Sequence, residues 1–219
     1  MKRIIAFLLL LFIGCVCTAC ATANQPAPTS SPTSSANASS PLAGKKILVA
    51  YFSATGNTKH VAEEIAQATG ADIFRIEAAD PYASNPYQDS DRIKAEAFGN
   101  QRPAVKTLLP KEEMSKYDVI FIGSPTWWHQ PAMVVCTFLE SYDLKGKTII
   151  PFFTYGSRDY LNESMQRIYK STPNSEHLPK TLPTDLDPDN IQEVQHDDAG
   201  ILMPDDVSTI HDWLHALGL

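Results

Sequence analysis

The sequence predicts an α/β domain in which helices cover both faces of a parallel β-sheet. Three observations carry this. The runs Ile47–Phe52, Val119–Gly123 and Ile149–Phe153 are apolar at nearly every position instead of alternating, which is the pattern of a strand buried on both faces. Segments with helical spacing stand between them. The turns that leave these runs are rich in Gly, Ser, Thr and Pro, which punctuate elements.

Taken in order, Ile47–Phe52 reads as the first buried strand. Thr58–Thr69 reads as a helix, with Val61, Ile65, Ala66 and Ala68 apolar and Gly70 as its stop. Asp72–Glu77 is a second strand carrying Ile73 and Ile76. Ile93–Gly99 is helical. Tyr117–Ser124 holds the strongest strand, Ala132–Tyr142 a helix, Lys147–Thr154 a further strand and Tyr160–Ser171 a further helix. Pro204–Leu217 closes the chain as an amphipathic helix with Val207, Ile210, Trp213, Leu214 and Leu217 on its apolar side. In such a sheet crossovers are right-handed and ligands sit at the carboxyl ends of the strands. The loops after Phe52, Gly123 and Phe153 are therefore where a site is expected.

The front of the chain follows other rules. Lys2-Arg3 and the apolar run Ile4–Ile13 form the charged and hydrophobic parts of a secretory leader, too short for a comfortable membrane span. Leu11–Gly14 followed by Cys15 resembles a lipobox, in which Cys15 is lipidated and becomes the mature N-terminus. Cys20 is the second choice, and ordinary cleavage around Ala19–Ala21 is the alternative. Residues 21–44 carry no charge and consist largely of Ser, Thr, Ala, Pro and Asn, a composition that cannot bury a core and acts as a tether. The expected organisation is a leader and lipobox over 1–20, a tether over 21–44 and one domain over 45–219. The expected location is outside the cytoplasmic membrane, anchored by the N-terminal lipid. Cys15, Cys17 and Cys20 all lie in the leader, leaving Cys136 as a buried structural thiol on a helix face. The net charge of −7 argues against nucleic acid as a partner.

The first loop is Ser53-Ala54-Thr55-Gly56-Asn57-Thr58, directly between a strand and a helix. The first-turn N–H groups of a helix lack intrahelical partners, and its dipole presents a positive end. Ser53, Thr55, Asn57 and Thr58 add side-chain donors, and Gly56 lets the backbone close. A phosphate dianion is well held by such a turn. The spacing matches neither the nucleotide-hydrolase phosphate loop nor the dinucleotide fingerprint. A serine hydrolase built on Ser53 or Ser124 is disfavoured, because neither lies in G-x-S-x-G.

The second loop is Pro125-Thr126-Trp127-Trp128-His129, and the third is Thr154-Tyr155-Gly156. Adjacent tryptophans in a loop supply flat walls for a planar ring, and Tyr155 supplies another. A phosphate at one loop and flat walls at two others describe a mononucleotide with a broad ring. Asp185, Asp187 and Asp189 have the opening spacing of a calcium loop, but Asn190 and His196 stand where Gly and Glu are needed, so a solvated loop is expected and no metal.

On the strand and loop Ile47–Thr58, the segment Gly123–Trp128, the run Phe138–Tyr142 through Gly146–Thr148 and the segment Pro151–Gly156, the chain resembles the flavodoxin family. The resemblance implies a three-layer sandwich on a five-stranded parallel sheet, non-covalent FMN and redox chemistry. It implies Ser53, Ala54, Thr55, Gly56, Asn57 and Thr58 around the phosphate. Pro125, Thr126, Trp127, Trp128 and His129 fall on one side of the flavin, and Thr154, Tyr155 and Gly156 on the other. The family usually has a glycine after the flanking aromatic, whose peptide turns over on reduction. Trp128-His129 stands there instead. Positive φ costs a bulky residue about 1–2 kcal/mol, so a flavin less committed to one-electron steps is expected. No strong fifth strand is visible, with Ile191–Val194 and Gly200–Met203 as candidates. The long acidic loop bearing Tyr82, Tyr87, Asp80, Asp89 and Asp91 is a possible lid. The functional expectation is electron transfer by an FMN protein. The alternatives are an FMN-dependent NAD(P)H or quinone reductase, and a flavin-binding lipoprotein without turnover. Donor and acceptor are not named by the sequence.

Overall fold

The structure is a computed structural model, and it describes residues 44–156, 161–178, 180, 191–193, 199–202 and 209–217. The leader, lipobox, tether, Ser157–Tyr160 and the acidic segment Asp185–Asn190 with His196 lie outside the described residues. Among those described, no helix is long and apolar enough to cross a membrane.

The central elements follow the predicted order. β1 (Ile47–Tyr51) leads through a loop into α1 (Asn57–Thr69) and β2 (Asp72–Arg75). A long connection holds a 3-10 turn (Pro86–Asp89), α2 (Ser90–Phe98) and the one-turn α3 (Lys111–Met114). β3 (Val119–Trp127), the short β4 (Gln130–Pro131), α4 (Met133–Glu140), β5 (Thr148–Thr154) and α5 (Leu161–Ser171) follow. β6 (Glu176–His177), β7 (Ile191–Glu193), β8 (Ala199–Leu202) and α6 (Ile210–Ala216) complete the described chain.

The sheet order is β2-β1-β3-β5-β8-β7, and β2, β1, β3 and β5 are mutually parallel. Successive side chains on a strand face opposite ways, and in β1, β5 and the first part of β3 both faces are buried. Leu48, Ala50, Ile120, Ile122, Ile149 and Phe153 pack with Val134, Phe138 and Leu139 of α4 and Met165 and Ile168 of α5. Their neighbours Val49, Tyr51, Phe121, Ile150 and Phe152 pack with Val61 and Ile65 of α1 and Trp213 and Leu214 of α6. This is why the strand runs are apolar throughout. Cys136 is fully buried in α4, as expected, and burial holds its thiol pKa above the ordinary value.

Helix ends follow their chemistry. α1 stops at Gly70, which takes φ 67° and returns its N–H to the Ala66 carbonyl. α6 starts on Thr209, whose hydroxyl accepts from the Asp212 N–H at 3.1 Å. Of the predicted Pro204–Leu217 helix, residues 204–208 lie outside the described residues.

The five parallel strands expected are present, with β6 as a short fifth beside β5. The position beside β5 is shared. β6 runs parallel to the start of β5, pairing Thr148 with Glu176 and Ile149 with His177. β8 runs antiparallel to its end, pairing Phe153 with Gly200, and β7 pairs antiparallel with β8. Of the candidates Ile191–Val194 and Gly200–Met203, residues 191–193 and 200–202 lie in strands, but both are antiparallel and neither is the parallel fifth strand, while Val194 and Met203 lie outside the described residues. β6 is only two residues long.

Candidate cofactor site

The three loops predicted from sequence leave the carboxyl ends of β1, β3 and β5, which are neighbours in the sheet. The first is shaped by its own hydrogen bonds. The Ser53 hydroxyl, 3% exposed, accepts from the Gly56 N–H at 3.1 Å. Gly56 takes φ 106°, a region closed to side chains at low cost, so the turn depends on glycine here. Nothing lies within 4 Å of where its Cβ would stand, so the requirement is conformational. Asn57 then opens a 13-residue helix whose N-terminus faces out of the loop.

Thr58 ties this loop to the third. Its hydroxyl and that of Thr154 lie 2.7 Å apart, both buried. One O–H donates to the other oxygen, which leaves one O–H of the pair to donate outward. β3 and β5 are in register so that Pro125 stands beside Thr154, placing Thr126 at the same edge. The Ser164 hydroxyl of α5 reaches the Thr126 hydroxyl at 3.5 Å, at the limit of a hydrogen bond. Tyr155 is 6% exposed and joins the core beneath the loops, while Gly156 is exposed.

The second loop is a hairpin, which the sequence did not suggest. β3 turns into β4 with Trp127 opposite Gln130 and Thr126 opposite Pro131, so Trp128-His129 is a two-residue turn. Trp128 has φ 49° and His129 φ 64°, the paired positive φ of a type I′ turn. Both residues therefore hold the positive φ whose cost the sequence points to, because the two-residue turn demands it of each. Trp127 packs edge-to-face on Phe52 (5.3 Å) and Tyr82 (5.2 Å). Trp128 is 40% exposed at the tip, 6.0 Å from the Phe98 ring and with Lys94 Nζ 4.9 Å from its centroid.

Several contributors were missed. Arg75, at the carboxyl end of β2, donates to the Ser53 carbonyl at 3.3 Å and braces the first loop. Arg167 of α5 donates to Gln130 Oε1 at 2.6 Å and to Asn100 Oδ1 at 2.7 Å, pinning the hairpin to the start of the segment after α2. No spacing rule reveals that pair. Ser124 is no nucleophile in waiting: its hydroxyl accepts from the Ala132 N–H at 2.9 Å and donates to the Pro125 carbonyl at 2.8 Å, which fixes the start of α4.

The loop between β2 and α2, read as a possible lid, is fastened. The Tyr82 hydroxyl donates to Glu96 at 2.6 Å, Arg92 lies over its ring at 4.3 Å, and Asp89 accepts from the Ala83 N–H at 2.5 Å. Burial and the Glu96 carboxylate push the Tyr82 pKa up, so it stays a neutral donor. Among the described residues no cluster could hold a metal ion.

The arrangement is a helix N-terminus ringed by hydroxyls, beside aromatic walls, at the centre of a parallel sheet. A family model for flavodoxin matches residues 46–194. The chain belongs to the flavodoxin family. Two solved structures are similar at the sequence level as well. A candidate flavoprotein from Bacteroides eggerthii is 38% identical over 63% of this chain and 90% of its own, with a TM-score of 0.53. Another from Bacteroides uniformis is 35% identical over 61% and 88%, also at 0.53. A flavoprotein from Lactobacillus acidophilus, solved in complex with FMN, is 23% identical over 61% and 90%, with a TM-score of 0.52, a likeness of fold. A search of curated proteins returned no match.

Proposed function

We propose that this flavodoxin-family protein binds FMN at the three loops and passes electrons through it. The observation that carries the reading is the neutral phosphate cradle. Ser53, Thr55, Asn57, Thr58 and the N-terminus of α1 offer donors to a dianion, and the Thr58–Thr154 hydroxyl pair links that cradle to the ring-lining loop. The family and the FMN-bound likeness from Lactobacillus acidophilus support the choice of cofactor. Trp127, Trp128 and His129 would line the ring, with Pro125, Thr126 and Gly156 shaping its entry and Tyr155 supporting the third loop from the core. Bound FMN supplies the electron-accepting chemistry, and the protein supplies orientation and a partly dry setting. The first two loops are held before any ligand arrives, by Arg75 behind Ser53 and by Arg167 behind the hairpin, which lowers the ordering cost of binding.

The location is part of the same proposal. The charged and apolar leader, the Gly14-Cys15 junction and the uncharged tether support a lipid-anchored protein outside the cytoplasmic membrane. Cys15→Ala should move the protein from the membrane fraction to the soluble one; unchanged fractionation would remove the anchor from the account.

The test of function is the purified protein's visible spectrum, followed by addition of NADH or NADPH. Bound FMN that bleaches directly indicates a reductase, and FMN that bleaches only through an added electron donor protein indicates a carrier. A protein that releases its FMN on dilution within seconds is a flavin-binding lipoprotein instead.

A further inference from the structure

A cavity of about 220 Å³ opens on the other side of the first loop, at the carboxyl ends of β1 and β2. The three cofactor loops follow β1, β3 and β5, so this cavity lies across β1 from the expected flavin ring. Its floor is apolar, formed by Ile76, Ala78 and Phe52, all nearly inaccessible. Tyr82 makes one wall, edge-to-face with Phe52 at 5.4 Å. Arg75 and Lys106 stand at its mouth.

The cavity is built to stay open. Its outer wall is a short antiparallel pairing of Ala78 with Val105, closed by Ala79 N–H to the Ala104 carbonyl (2.7 Å) and Lys106 N–H to the Glu77 carbonyl (2.8 Å). The connection above it is held by Tyr82 to Glu96, Ala83 to Asp89 and Arg92 to the Asp80 carbonyl at 2.9 Å. A long ordered loop wrapped around a void is a binding arrangement more often than a packing defect. The charge at the mouth is uneven. Lys106 is matched by Glu77 at 3.3 Å, whereas among the described residues no carboxylate pairs with Arg75, whose recorded hydrogen bond is to the Ser53 carbonyl.

We infer that this cavity binds a small planar organic anion, an aryl carboxylate or one of the same shape, with its ring against Phe52 and Tyr82 and its charge at Arg75. The aromatic walls select a flat ring, the volume limits it to a single ring, and Arg75 supplies the cationic fork that suits a carboxylate. The site shares Ser53 and Ala54 with the first loop, and its walls Phe52 and Tyr82 back onto Trp127, but its mouth lies at Arg75 and Lys106, so the inference does not depend on FMN.

The experiment is a calorimetric titration of the full chain with benzoate, run with FMN at saturation and with none, and mapped by backbone amide shifts. Saturable binding with Kd of about 0.1–1 mM is expected for so small a ligand, in both conditions, with the largest shifts at Ile76, Ala83 and Ser84. Benzamide, which keeps the shape and lacks the charge, should bind about tenfold more weakly, and Arg75→Gln should weaken benzoate by about the same factor. Ser84→Trp, at an exposed rim position, should abolish benzoate binding and leave FMN titration as it was. The inference is overturned if benzoate fails to saturate up to about 10 mM, if benzamide binds equally well, if either variant binds benzoate as the parent does, or if the shifts map to Ser53–Thr58 and the hairpin.

Discussion

Thr58 shows how much one side chain can carry. The hydroxyl that begins the second position of α1 is also the partner of Thr154, 96 residues away. Thr58→Val keeps the shape and removes the hydroxyl. FMN affinity should fall about tenfold, the worth of one charge-assisted hydrogen bond, while riboflavin, which lacks the phosphate, should bind as before; fluorescence titration of both ligands checks this. Gly56 makes a different demand. With φ at 106° and open space around it, Gly56→Ala should cost about 1–2 kcal/mol of stability from conformation alone, measured by urea unfolding, and should weaken FMN as well. Both residues were legible in the sequence, because hydroxyls and one glycine between a strand and a helix have few other meanings. Arg75 was not, because a charged residue at the end of a strand is ordinary until its partner is seen.

Among the elements, the strands were read most reliably, since burial on both faces leaves an unbroken apolar run. Gly123 shows what that packing requires. A Cβ there would stand 2.3 Å from Phe152 Cζ, so Gly123→Ala should destabilise the sheet by about 1–3 kcal/mol, visible as a lower urea midpoint with an unchanged slope. The β3–β4 hairpin was hidden for the opposite reason. Type I′ turns announce themselves through Asn and Gly, and Trp128-His129 carries neither. His129→Gly relieves one positive-φ strain and should raise stability by about 0.5–1 kcal/mol; a loss of stability would show that His129 earns its place through contacts. The β5 edge was obscure because β6 is only two residues long, below the length at which alternation or a run can be recognised, and because its neighbour on the sheet arrives from a hairpin later in the chain.

The whole molecule is a sheet with helices on both faces and its ligand loops gathered at one end, and that much follows from alternation of elements and the burial of both strand faces. Its stability should depend on pH through His177, which stacks on Tyr169 at 4.0 Å and lies beside the Thr172 hydroxyl. Burial lowers its pKa below the ordinary 6.5. The unfolded chain therefore binds the proton more tightly, so stability is lost as pH falls below 6.5 towards the folded value. The melting temperature should drop between pH 7.5 and 5.5, and His177→Gln should flatten that drop. Binding of a phosphate by uncharged donors at the head of α1 is the claim on which the functional account rests. Its most direct measurement compares FMN with riboflavin on the purified, flavin-free protein by quenching of flavin fluorescence. One FMN per chain is expected, bound at least about a hundredfold more tightly than riboflavin. Equal affinity for the two, or no binding of either, would contradict it.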